Sequence, residues 1–241
     1  YIMKINKNLL VILFLIVYKL SNSQNKTIIV TYDVLFAKEN FFENSPLKNE
    51  YSKFIDKKSN INFELIISND SISSFKIIEN LTSDVDKNKM KMFKLFCSYN
   101  GEILSDIKNK RAYVNYANQI GDYYVEKKVQ EYEWEITNET KLIENYICYK
   151  AIGKEKIENP KGTFTNLITV WFAPEIPIQS GPFTFSGLPG LILELKRKSV
   201  TFGVSKIYIK KESDININLP NTSKVITEEN LIEMRNKFLE E

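Results

Sequence analysis

The sequence predicts a mainly β fold: a curved antiparallel sheet or partly open barrel with a C-terminal helix packed on it. Three observations carry this. Apolar residues alternate with period two in the early chain, as Ile28, Val30, Tyr32, Val34 and Phe36. Short segments rich in β-branched and aromatic residues then follow one another between turn-forming clusters. Only the last stretch, Thr227 to Glu240, has a clear helical order.

The first strand is expected over Thr27 to Ala37. Phe63, Leu65 and Ile67 repeat its alternation, and Phe75 and Ile77 follow the turn-forming Asn69-Asp70-Ser71, so a hairpin is expected there. Further strands are expected at Phe93 to Tyr99, Ala112 to Tyr116, Tyr123 to Trp134, Asn145 to Ala151, Thr163 to Phe172, Leu191 to Leu195 and Val200 to Ile209. Asn100-Gly101 and Gly121-Asp122 between them are read as turns, and this spacing favours a meander over βαβ units. Pro46 to Lys58 is read as irregular or weakly helical. In the final helix Thr227 is placed to cap, Glu228 and Glu229 suit the first turn, and Leu231, Met234 and Phe238 share a face. No repeat or Pro/Gly-rich linker marks a second domain, so residues 24–241 are expected to form one.

Residues 1–23 have the order of an export signal. Lys4 and Lys7 precede an apolar run from Leu9 to Tyr18, and Ser21 and Ser23 offer small residues for cleavage. The run is half the length a membrane-spanning helix needs, about twenty residues, so no transmembrane span is expected in the mature chain. Removing the segment takes Lys4, Lys7 and Lys19 and no acid, and leaves basic and acidic residues equal in number. No nucleic-acid partner is therefore expected, because phosphate recognition needs a basic surplus or a strong basic patch, and charges alternate in sign along most segments, as in Lys154-Glu155-Lys156. In an exported protein Cys97 and Cys148 could bridge, but both stretches are apolar and strand-like, and buried free thiols fit them as well.

The most distinctive stretch is Trp171 to Leu195, where prolines and glycines gather among aromatic and aliphatic residues. Pro174 and Pro177 push the residues before them toward extended backbone. Leu188-Pro189-Gly190-Leu191 fits a turn with Pro second and Gly third, and Gly187 and Gly190 can take angles other residues resist. One reading is architectural, with Leu188, Leu191 and Leu193 entering the core. The other is a binding groove in which Trp171, Phe172, Phe183 and Phe185 lie near Glu175. The candidate binding or motif residues are Trp171, Phe172, Glu175, Pro177, Gly187, Leu188, Pro189, Gly190 and Glu194.

At Gly187 to Ile192 the chain reads GLPGLI and resembles the GLPGLI family. The resemblance extends to Trp171, to Pro174 to Pro177, to Gly181-Pro182, and upstream to WEITNETKLIENYICYKA from Trp134 to Ala151. It implies an exported protein of Bacteroidota, located in the periplasm or at the cell surface, and brings no activity, cofactor or catalytic residue with it. Ala173 stands where relatives usually have threonine.

The chain has no histidine, which removes the commonest general base and zinc ligand. Glu175 with Glu194, or Ser180 or Ser186 with Lys150, are the remaining catalytic pairings; two Glu residues near a turn are more often solvated or bonded to backbone, and no spacing rule supports the Ser–Lys pairing. Cys97 and Cys148 are too far apart in sequence for a metal-ligand motif. The expectation is a non-enzymatic exported envelope protein with no cofactor, binding or carrying an apolar or peptide ligand or docking an envelope protein. The alternative is a structural or accessory subunit of an outer-membrane assembly; an unrecognised hydrolase ranks below both.

Overall fold

The computed structural model describes residues 26–38, 45–55, 60–78, 86–116, 123–129, 132–159, 162–211 and 215–240. The elements run β1 (Lys26–Phe36), α1 (Lys48–Ser52), β2 (Asn62–Ser68), β3 (Ile72–Ile78), α2 (Lys87–Phe96), β4 (Ile103–Asp106), β5 (Arg111–Asn115), β6 (Tyr124–Lys128), β7 (Glu135–Ile143), β8 (Tyr146–Asn159), β9 (Gly162–Ala173), β10 (Leu191–Arg197) and β11 (Val200–Lys211). A 3-10 turn (Thr222–Lys224), β12 (Val225–Ile226) and α3 (Glu228–Glu240) close the chain. The fold is mainly β: twelve strands among the described residues form one open, curved sheet in the order β12-β6-β5-β4-β3-β2-β1-β11-β10-β9-β8-β7. Two meanders meet where β1 pairs antiparallel with β11, and only β12 on β6 is parallel.

The alternation that predicted β1 is the alternation of burial. Ile28, Val30, Tyr32, Val34 and Phe36 face inward and are buried, as are Phe63, Leu65 and Ile67 on β2. A hairpin joins β2 to β3, turning through Asn69 and Asp70, both with φ near +52°, the left-handed geometry that Asn and Asp tolerate. On the inner face, Phe63 stacks on Phe75 at 4.9 Å and meets Phe202 edge-on at 5.5 Å.

The strand expected over Phe93 to Tyr99 is instead the end of α2. The Asp86 carboxylate accepts from the Asn88 amide at 2.9 Å to cap its start. Its end closes with Ser98 at φ +53°, the Ser98 amide donating to Leu95 and the Tyr99 amide to Lys94. Phe93 and Phe96, three residues apart, drive the helix onto Phe36, Tyr51 and Phe54. Tertiary packing of an i, i+3 aromatic pair thus overrides the β preference of the residues.

The strand expected from Tyr123 to Trp134 is shorter, ending at Lys128, and β4 and β7 add strands that were not expected. α1 occupies five residues of the segment read as weakly helical. Thr227 caps α3, its Oγ1 accepting from the Asn230 amide at 3.2 Å, and Leu231 is buried. The export segment, the Gly121-Asp122 turn and the Phe238 side chain lie outside the described residues. No helix among the described residues is long and apolar enough to cross a membrane.

Candidate functional site

The chain between β9 and β10 does not hang outside the sheet; it arches across the inner face. Pro182 and Phe185 are buried, and the Phe183 ring lies 5.0 Å from Phe75 and 5.1 Å from Phe202. Phe183 holds φ +57°, a conformation unfavourable for a bulky residue, and the clamped ring fixes it. Phe185 stacks on Tyr132 at 4.8 Å. The Trp134 indole N–H donates to the Ser186 carbonyl at 2.8 Å, and its ring lies on Gly153, where a Cβ would come within 2.7 Å.

The hexapeptide closes the arch. Gly187 has φ +89°, open to glycine. The turn is tighter than expected: the Gly190 amide donates to the Leu188 carbonyl at 2.8 Å across Pro189, and the Leu191 amide donates instead to Ile176. Gly190 is required by close approach and not by its φ, since a Cβ there would sit 2.3 Å from the Ala173 carbonyl oxygen. Leu188, Leu191, Ile192 and Leu193 are all buried.

Beneath the arch lies a cavity of about 340 Å³. Its floor is Ser73 on β3 and Ser105 on β4, directly opposite each other in register and facing inward beside Phe75 and Ile103. Two small polar residues there leave a hollow that larger side chains fill elsewhere on the sheet. Ser180, Phe183, Thr184, Phe185 and Ser186 roof it, and Ile107, Lys110, Val129, Tyr132 and Gln179 complete the wall. The Ser105 Oγ is buried and has no hydrogen-bond partner among the described residues. Burial foremost, with the Glu155 carboxylate adding to it against Arg197, pushes the Tyr132 phenol well above its usual value, so it stays neutral. Among the described residues, no carboxylate lines the cavity. It offers hydroxyl and amide hydrogen bonds beside three aromatic rings, an arrangement suited to binding.

The structure divides the candidates named from sequence. Trp171 and Phe172, being neighbours on a strand, point to opposite faces. Phe172 is buried inward, whereas Trp171 faces outward, its ring 4.4 Å below the Lys141 ammonium. Lys141 also pairs with Glu194 at 2.7 Å, and Glu194 stands opposite Trp171 in register. Glu175 and Pro177 are exposed on the β9–β10 connection. Phe183 and Phe185 belong to the arch and roof the cavity on the inner face, so the four aromatics do not line one groove. Ser73, Ser105 and Tyr132 had no sequence motif to mark them, because separate elements bring them together.

A family model described as "Protein of unknown function (Porph_ging)" matches residues 154–194. The match takes in β9, the arch and the hexapeptide. No curated protein matches the chain. Among solved structures the chain is similar to two crystal forms of PNGF-II, with TM-scores of 0.55 and 0.54 and 16% identity in each case. Each match covers 88% of this chain and 33% of PNGF-II, so the chain spans about a third of the length of these relatives. At that identity the likeness is one of fold.

Proposed function

We propose that this is an exported, non-catalytic binding protein of the Bacteroidota cell envelope, belonging with the GLPGLI proteins, whose ligand occupies the cavity beneath the hexapeptide arch. The supporting observation is Ser105: a buried hydroxyl without a partner costs on the order of 1–3 kcal/mol, and a ligand group bonding to it removes that cost. The volume, about 340 Å³, lies at the low end for small-molecule sites. The serine floor and the Phe183 and Phe185 rings favour a small ligand with both hydrogen-bonding groups and an apolar face; a long acyl chain would leave the hydroxyls unmatched.

Native mass spectrometry of protein purified from the envelope tests this. The expected result is a small adduct, released on unfolding and depleted in Ser105→Ala, while Ser105→Ala without ligand is at least as stable as the parent. An adduct equally abundant in both, or Ser105→Ala clearly less stable than the parent, contradicts the reading. A second reading, docking within an outer-membrane assembly, rests on β7. Among the described residues this outermost strand pairs only with β8, and Leu142 on it and Ile147 opposite on β8 are exposed. Site-specific crosslinking from Thr140 to an envelope protein would support it.

A further inference from the structure

The helix α2 presents a charged face that no described residue neutralises. It carries Lys87, Lys89, Lys91 and Lys94 and no acid; Asp86 before it is engaged in capping. None of the four lysines makes an ion pair or hydrogen bond with a described residue. Helical spacing puts Lys87 and Lys91 one turn apart, with Lys94 and Leu95 beside Lys91 on the same outward side, opposite the buried Phe93 and Phe96. Like charges at i, i+3 and i, i+4 repel one another, so this face gains when an anionic surface meets it. Leu95 is 52% exposed among these lysines, and Met90 and Met92 flank it half-buried. The same side chains border an open groove that continues to Tyr99 and Tyr116.

We propose that α2 docks the protein on an anionic lipid surface, its lysines at the headgroups and Leu95 at the acyl boundary. Basic residues interleaved with exposed apolar ones on a short helix match that interface. An acidic polypeptide would satisfy the lysines and leave Leu95 facing water. The chain's overall charge is close to balanced, +3 in all, so the attraction arises from this local patch. It is independent of the cavity beneath the arch.

The test is co-sedimentation of the full chain with phosphatidylcholine vesicles, with and without about one-third phosphatidylglycerol. The comparison is with Lys87→Gln/Lys91→Gln/Lys94→Gln, which shares the same N-terminal segment. Each lysine near an anionic surface contributes roughly fivefold in partitioning, so the triple variant is expected to bind phosphatidylglycerol vesicles on the order of a hundredfold more weakly. Parent binding falls in roughly 0.5 M salt, and Leu95→Ser weakens it on the same vesicles. Circular dichroism of the variants, whose changed side chains point outward, confirms the fold. Equal binding by parent and triple variant, parent binding indifferent to phosphatidylglycerol, or binding to polyglutamate but not to vesicles would each overturn the proposal.

Discussion

The Tyr32 hydroxyl donates a 2.7 Å hydrogen bond to the carbonyl of Ile192, tying the first strand to the last residue of the hexapeptide across 160 positions. Ile192 precedes the bulge in β10, where pairing with β9 steps from Phe172 to Trp171 while the inserted Leu193 has no partner. The bond is buried, and burial raises the Tyr32 pKa far above the ordinary phenol range, so the donor stays protonated. Tyr32→Phe keeps the ring against Phe75 and removes only the donor. The expected cost is about 1–3 kcal/mol for the stranded carbonyl, read as a lower urea midpoint with an unchanged m-value. An unchanged midpoint would show that the carbonyl needs no tyrosine.

Gly190, in close approach at the hexapeptide, contrasts with Gly203 on β11, which has open space around it. A Cβ at Gly190 meets backbone on three sides: the Ala173 oxygen at 2.3 Å, its carbonyl carbon at 2.6 Å and the Pro174 nitrogen at 2.8 Å. Backbone in a strand cannot swing aside as a side chain can. Gly190→Ala is expected to force apart the Leu191–Ala173 pairing, at a cost at or above the roughly 1–3 kcal/mol of ordinary overpacking. A Cβ at Gly203 meets nothing within 4 Å, and Gly203→Ala is expected to be neutral or stabilising by up to about 1 kcal/mol. Thermal unfolding of the two variants side by side checks the contrast.

Such contacts show why the sheet was more legible in the sequence than the cavity. Ile28 to Phe36 and Phe63 to Ile67 announce themselves because one face is buried, and burial imposes period two. β7 gives no such signal: as an edge strand, from Glu135 to Ile143, it has no buried residue. β4 is four residues long, too short for a pattern to form. α2 misleads because Phe93, Phe96 and Tyr99 are good strand formers until the aromatic cluster under Phe36 decides otherwise. The cavity is hardest to foresee. Ser73 and Ser105 look like ordinary strand serines, and only their register and the returning arch turn them into a floor.

The largely buried ion pair of Glu155 and Arg197, with the Arg197 side chain 19% exposed, reaches across β9 inside the sheet. The guanidinium grips the carboxylate with two bonds, 2.8 Å from Nε and 2.6 Å from Nη2. Glu155 is only 7% exposed. Both charges lose water, so their attraction chiefly offsets desolvation. Removing one partner strands the other: Glu155→Leu or Arg197→Leu alone is expected to cost about 3–5 kcal/mol, whereas the double replacement costs far less than the sum. A double-mutant cycle by urea unfolding measures the coupling, and additive losses would mean the pair is not acting as a unit.

The two cysteines are free and buried, and their chemistry follows from that. Cys97 packs at the end of α2, where burial pushes its thiol well above the ordinary value. Cys148 rises to about 11, chiefly by burial; its backbone bond at Ile143 and the Lys141 ammonium pull it down, and the Glu194 and Glu175 carboxylates push it back up. A thiol alkylates through its thiolate, so the folded protein is expected to resist iodoacetamide near pH 8 and to yield two labelled thiols per chain only after unfolding. The same shifts set a pH dependence. Unfolded cysteines lose their protons near pH 8.5, while the folded ones keep theirs, so above that pH the unfolded state binds fewer protons and stability falls. For Cys148 the loss continues until its folded thiol ionises near pH 11, at up to about 1.4 kcal/mol per pH unit. Urea midpoints measured from pH 8 to 11 should decline, and Cys148→Ala should make the decline shallower. Rapid labelling of the folded chain, or a slope that Cys148→Ala leaves untouched, would contradict the burial of these thiols.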